Sequence, residues 1–174
     1  MVIAVAAICC YQPALAAEKK ETSSSETKSG KSGSLSAADK KFAENAAKGG
    51  MMEVAMGRQA ANKAQNNDVK QFGTRMVTDH SKANEELKGI ASKKGISLSS
   101  EEPKANFKTD KTYMDDMVTD HQKDLAEFQQ EAKNGSDPDL KAFAEKGSKM
   151  VASHLSEARR IDKYLKHETS NIAR

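Results

Sequence analysis

The chain has 174 residues, with 28 Lys and Arg against 25 Asp and Glu, a net charge of +3 and no tryptophan. That length supports one domain with a real core. Both signs of charge intersperse along the same stretches, which marks solvated faces and excludes a nucleic-acid footprint; scarce proline and the lack of a sustained alternating pattern after residue 35 exclude a sheet domain.

Residues 2–9 are an apolar run too short to span a bilayer. Ala14-Leu15-Ala16 then supplies a small-x-small cleavage site before Ala17, so residues 1–16 read as a signal peptide that exports the chain to the periplasm or cell envelope. No positive n-region precedes the run, so Met1 reads as internal to a longer leader. Both cysteines, Cys9 and Cys10, fall in this segment, and Cys9 is a poor fit to the small residue expected before a lipid-anchored Cys10. Cleavage leaves no thiol for a disulfide, a metal or catalysis. Residues 17–35 are Lys, Glu, Ser, Thr and Gly with almost no apolar side chain, the composition of a disordered tether.

From residue 36 to 167 four helical segments follow, with 168–174 as a frayed tail. Ser36 caps the first, with Asp39 three residues on. Asn67 or Asp68 caps the second, and Gly95 stops it. Asp110 caps the third. Gly135 ends it, and Pro138 sits in the first turn of the fourth. Each segment carries an apolar stripe at three- and four-residue steps. The first reads Phe42, Ala46, Gly49, Glu53, Met56, Ala60, Ala64; the second Val69, Phe72, Met76, His80, Ala83, Leu87, Ile90. The third reads Tyr113, Met117, His121, Leu125, Phe128, Ala132; the fourth Phe143, Gly147, Met150, His154, Ala158, Ile161, Leu165.

One phrase recurs in three of these stripes. Met76-Val77-Thr78-Asp79-His80 returns as Met117-Val118-Thr119-Asp120-His121 and, more loosely, as Met150-Val151-Ala152-Ser153-His154. In the first helix Glu53 occupies the place that histidine takes elsewhere. A buried, unpaired carboxylate is costly, so Glu53 requires a partner or a metal. Glu53 and His80 lie about 13 residues either side of the first turn, and His121 and His154 about 15 and 17 either side of the last, so at ~1.5 Å per residue each hairpin brings its two groups to one height. Three imidazoles and a carboxylate then converge on one point in the core.

The short connections make the first and last pairs antiparallel hairpins. The middle connection has about 15 residues and reaches up to ~50 Å, enough to return along the bundle. That crossover puts His80 and His121 at matched heights, whereas a simple up-and-down order offsets them by ~4.5 Å. The expected fold is therefore all-α: an antiparallel four-helix bundle with a long crossover between helices 2 and 3, as in ferritin-like folds.

The runs Phe42-x-x-x-Ala46-Ala47-x-Gly49-Gly50-Met51-x-Glu53-Val54, Val69-Lys70-x-Phe72 and Met76-Val77-x-Asp79-His80, with His121-Gln122 and Ala142-Phe143-Ala144 through His154-Leu155, resemble domain of unknown function 4142, an exported bacterial family. The resemblance spans about residues 37–166 and implies a ferritin-like bundle in the cell envelope without implying an activity. The site departs from the better-known di-iron bundles, which carry Glu-x-x-His motifs. The residue three before each histidine is Val77, Val118 or Val151, and the nearby acids, Asp124 and Glu157, come three residues after. Oxidase chemistry is thereby disfavoured, and the chain reads as a binding protein rather than an enzyme.

The metal ligands expected are Glu53, His80, His121 and His154, with Asp124 and Glu157 as additional ligands, around one divalent zinc or copper ion. Met76, Met117 and Met150, one turn before each histidine, point towards copper by residue type, but helix direction scatters them to different sides of the histidine layer, where they read as core. Asp79 and Asp120 sit about 100° around from the stripe and suit orienting an imidazole. His167 reads as solvent-facing, and the paired Gly49-Gly50 as a close-packing device. The rival reading is a structural or stress-response envelope protein whose buried His and Glu network only specifies the fold and which acts by binding a protein partner. The mature chain carries no transmembrane helix, and homo-oligomerisation is left open.

Overall fold

A computed structural model describes residues 35–101 and 103–172. The expected signal peptide and nearly all of the expected tether lie outside the described residues. Four helices, α1 (Ala37–Lys63), α2 (Asn67–Lys93), α3 (Asp110–Asn134) and α4 (Pro138–Ile172), account for the fold, and no strand occurs among the described residues. The expected bundle end at residue 167 falls inside α4.

Capping sets the helix starts. The Ser36 hydroxyl accepts from the Asp39 N–H at 3.0 Å. The second start differs from expectation by a residue: Asn66 is the cap, accepting from the N–H groups of Asp68 and Val69. Thr109, not Asp110, caps α3 by accepting from Thr112 N–H. The Asp110 carboxylate instead accepts from the N–H of Gln65 (3.0 Å) and Asn66 (2.6 Å) and ties the α1–α2 turn to the start of α3. Gly95, at φ 67°, ends α2 in the left-handed region that glycine enters freely.

These contacts fix the topology. The α1–α2 turn and the start of α3 share one end. At the other end the Ser136 N–H reaches Asp39 (2.9 Å), and Lys94 pairs with Asp137 (2.6 Å) and Asp139 (2.8 Å). The connection from Lys94 to Thr109 therefore travels the full length of the bundle, ~40 Å for a 27-residue helix. This is the crossover, and it makes α2 and α3 parallel. α1 packs chiefly on α2 and α3 on α4; the hairpins meet through α2 on α4 and α1 on α3.

Two apolar clusters fill the core. Near the Asn66 end lie Phe72, Met76, Tyr113, Met114, Met117 and Ile161 with smaller neighbours. Near the Asp39 end lie Phe42, Leu87, Phe128, Leu140 and Phe143, with Phe42 and Phe128 edge-on at 5.1 Å. The buried side chains follow most of the stripes in α2 and α3, but Ala83, Ile90, Leu125 and Ala132 are only half-buried, and Ala91, Met114 and Glu131 are buried beside them. In α1 the face is turned: Ala46, Gly49 and Met56 are half-buried, while Ala43, Ala47, Gly50, Val54 and Gly57 are buried. The cause is close approach. A Cβ on Gly57 would stand 2.7 Å from the Gly73 carbonyl oxygen, and one on Gly73 would stand 2.7 Å from that of Gly57. Small residues, not the largest apolar ones, make the α1–α2 contact. In α4 Val151 is buried and Met150 only half so.

Candidate metal centre

Between the two apolar clusters lies a polar layer. Glu53 (α1), His80 (α2), His121 (α3) and His154 (α4) are all buried there, with His121 and His154 at 0% exposure. The crossover sets the level, because parallel α2 and α3 carry the same phrase at the same height. The three rings stand 5.2–5.8 Å apart, centre to centre. One nitrogen from each lies within 4.8 Å of the others.

Each imidazole is held by one nitrogen and free at the other. His121 Nδ1 lies 2.9 Å from the Met117 carbonyl oxygen, one turn back, so it carries the proton and donates. His154 Nε2 lies 2.9 Å from Asp79 Oδ2, and His80 Nδ1 lies 2.8 Å from Glu53 Oε2. The opposite atoms, His80 Nε2, His121 Nε2 and His154 Nδ1, are buried without a hydrogen-bond partner, as is Glu53 Oε1. Glu53 Oε1 stands 3.3 Å from His121 Nε2 in a geometry that makes no hydrogen bond. Buried polar atoms are nearly always satisfied, so four orphans in one layer, three of them on histidines that bring a nitrogen each within 4.8 Å of the others, demand an explanation.

The electrostatics favour neutral rings at His121 and His154 beside a charged carboxylate. Burial lowers the pKa of His154 to about 4, against the hydrogen bond it donates to Asp79, with the other two imidazoles adding to the lowering. Burial likewise lowers His121, against the pull of Glu53. Burial raises Glu53, but the His80 hydrogen bond and the three imidazoles outweigh it and hold the carboxyl below its ordinary range.

The donor set fits a transition metal. Three imidazole nitrogens within 4.8 Å of one another can hold a metal ion, and nitrogens bound tetrahedrally at ~2.0–2.1 Å stand about 3.4 Å apart. Shifts below about an ångström per ring close the present separations to that value. Held protons on the distal nitrogens are the arrangement that orients metal-bound histidines.

The flanking acids divide. Asp79 contacts His154 and is held by Arg75 Nε at 3.3 Å, whereas Asp120 is exposed. Glu157, expected as a ligand, instead pairs with Arg75 at 2.5 Å and reaches the histidines only through Arg75 and Asp79. Asp124 lies on the Glu53 side, where burial and then the Glu53 charge push its pKa up to about 7. Met76 and Met117 belong to one apolar cluster, and Met150 lies beyond the layer on the other side. His167 is exposed. Arg75, which joins Asp79, Glu157 and Ser153, is absent from the residues expected at the site; its spacing of four residues before Asp79 is the one signal the sequence offers for it. A larger groove of about 540 Å³ between α1, α2 and the crossover touches none of the three histidines.

No helix of the described residues is long and apolar enough to cross a membrane. Among curated proteins nothing matches the chain. The crystal structure of a candidate spore coat protein from Bacillus halodurans C-125 is similar in fold, with a TM-score of 0.68 at 12% identity over 77% of this chain and 91% of that one. The sequence profile of the domain of unknown function DUF4142 matches residues 24–161, so the polar layer and the bundle around it lie inside a known family unit, and the chain belongs to the DUF4142 family.

Proposed function

We propose that this protein is a metal-binding bundle of the cell envelope, holding one divalent transition-metal ion on His80, His121 and His154 with Glu53 as the fourth donor. The observation that carries the reading is the set of four unpartnered buried atoms, one from each of these side chains. Leaving four such atoms unmet costs several times the ~1–3 kcal/mol of a single orphan. A metal meets all four at once. Zinc is preferred, because the donors are nitrogen and oxygen in a four-coordinate arrangement and the methionines belong to the core. The apolar run and Ala14-Leu15-Ala16 support export, with a mature chain starting at Ala17.

Zinc titration of metal-free protein tests the function directly. One ion binds per chain, His80→Ala, His121→Ala and His154→Ala each abolish stoichiometric binding, and His167→Ala does not. Zinc at a hundred times its Kd stabilises by ~2.7 kcal/mol and raises Tm by about 5–11 °C. Identical melting with and without zinc, and no stoichiometric uptake, would instead establish the layer as a structural polar network in a partner-binding envelope protein. N-terminal sequencing that finds residues 1–16 retained would remove the envelope assignment.

A further inference from the structure

The polar layer is sealed on most sides. Phe72 closes it towards the Asn66 end, its ring 6.3 Å from His121 and 6.4 Å from His154. Asp79, Arg75 and Glu157 close the α2–α4 side with ion pairs. Towards the Asp39 end there is a gap lined from all four helices. A cavity of about 20 Å³ lies against Glu53 and His80, and its wall includes Asn84, Asp124 and Glu127 together with the exposed Asn45. That volume holds about one water or one bare ion. Its wall is mixed, with Phe128, Phe143 and Met150 on one part and Glu53, His80 and the half-buried Asn84, Asp124 and Glu127 on the other, and Glu53 and His80 each carry an unpartnered buried atom.

Gly49 and Gly50 form one wall of this cavity. A Cβ on Gly50 would stand 2.2 Å from Asn84 Oδ1, so glycine there is what seats the Asn84 amide; a Cβ on Gly49 would meet nothing within 4 Å. Two glycines inside a helix weaken it, and at Gly50 the space released is filled by an oxygen donor rather than by apolar packing.

We propose that this cavity is the passage by which a divalent cation reaches the histidines, with Asp124 as the positioning carboxylate that takes the ion from water and passes it to Glu53 and His80. The inference rests on the metal-binding reading above. The chemistry is exchange of water for oxygen ligands in steps: amide and carboxylate oxygens at the mouth, the carboxylate of Glu53 next, imidazole nitrogen last. A hard-to-soft order of donors lets a hydrated ion shed water gradually.

The test is stopped-flow uptake of cobalt(II), read by its visible absorbance on imidazole binding, and release into excess chelator, with the full chain as purified. Asp124→Asn slows uptake and release together, each about tenfold or more, with Kd kept within about threefold. Gly50→Ala, which alters no charge, slows both in the same sense. Asp116→Asn, an exposed acid on the same helix, matches the charge change and leaves both rates as they are. Faster release with unchanged uptake in Asp124→Asn would make Asp124 a ligand of the bound ion and overturn the passage. So would unchanged rates in both Asp124→Asn and Gly50→Ala while wild type binds cobalt one to one. Failure of wild type to bind cobalt at all would instead sink the metal reading itself.

Discussion

His121→Leu separates a metal site from a structural network by the sign of its effect. Leucine is of similar size and stays in the buried stripe, so packing changes little. The substitution removes the unpartnered His121 Nε2, whose burial costs ~1–3 kcal/mol. It loses the bond from His121 Nδ1 to the Met117 carbonyl, but that oxygen keeps its helical N–H partner. Glu53 loses only a 3.3 Å approach of poor geometry and retains His80 at 2.8 Å. In metal-free protein the variant is therefore more stable than wild type by about 1–3 kcal/mol, or ~2–12 °C in Tm. With zinc the order reverses, because wild type gains the binding free energy and the variant does not. Scanning calorimetry with chelator and then with zinc measures both signs. If the layer exists only to specify the fold, His121→Leu breaks a satisfied network and lowers Tm in both buffers. A metal-free variant that melts below metal-free wild type would refute the account of the orphan atoms.

Asp79→Asn weakens zinc binding by ~10–100-fold, because the His154 Nε2–H then has a neutral acceptor; an unchanged Kd by chelator competition would remove Asp79 from the site. Glu131→Gln acts elsewhere. Burial, then the Asp39 carboxylate, raise the Glu131 pKa to about 7, so the fold favours its neutral form, and that contribution is full below about pH 4.5 and lost as pH rises through about 7. The glutamine variant is free of this loss and gains about 1–3 kcal/mol over wild type at pH 8 but not at pH 4, as urea unfolding at the two pH values will show. Gly57→Ala forces a Cβ against the Gly73 backbone and costs ~1–3 kcal/mol, whereas Gly89→Ala, with open space around it, gains ~0.5–1 kcal/mol; equal urea midpoints would contradict the close α1–α2 approach.

Most of this bundle is legible in the sequence because its information is periodic and local. The repeated phrase places three histidines on buried stripes, and the long connection signals the crossover that levels them. The flank position of Asp79 marks it as a residue orienting an imidazole, and it meets His154. What stays hidden is set by neighbours far along the chain. Glu157 turns to Arg75, 82 residues away, and no spacing rule reveals that. Asp110 resembles a cap because it precedes a helix; Thr109 takes that role and leaves Asp110 to hold the α1–α2 turn. The buried pair of Asp39 and Glu131 joins the first helix to the third and has no local signature, since Asp39 resembles an ordinary first-turn acid. In α1 hydropathy points to the larger side chains, while glycine and alanine decide the face because backbone approach, not apolar volume, sets that interface.

The recurring phrase has one sequence and different structural outcomes, and the topology explains each. Because α2 and α3 are parallel, Met76 and Met117 fall on the same side of the histidine layer and share a cluster; α4 runs against them, so Met150 falls on the other side. The residue before the histidine follows its neighbour. Asp79 faces the α4 helix packed on α2 and accepts a hydrogen bond from His154, Asp120 is exposed, and Ser153 accepts from the same Arg75 that steadies Asp79. Two of the three copies thus build a single brace on His154, while His121 relies on its own helix backbone and His80 on Glu53. Each ring is locked by a different device, yet all three keep one buried nitrogen without a partner, and the rings bring a nitrogen each within 4.8 Å of the others. A network selected only to fix helix register would gain by pairing those nitrogens with one another or with Glu53 Oε1. Three held rings, each with one nitrogen withheld beside a carboxylate with one free oxygen, are what the proposed cation would complete.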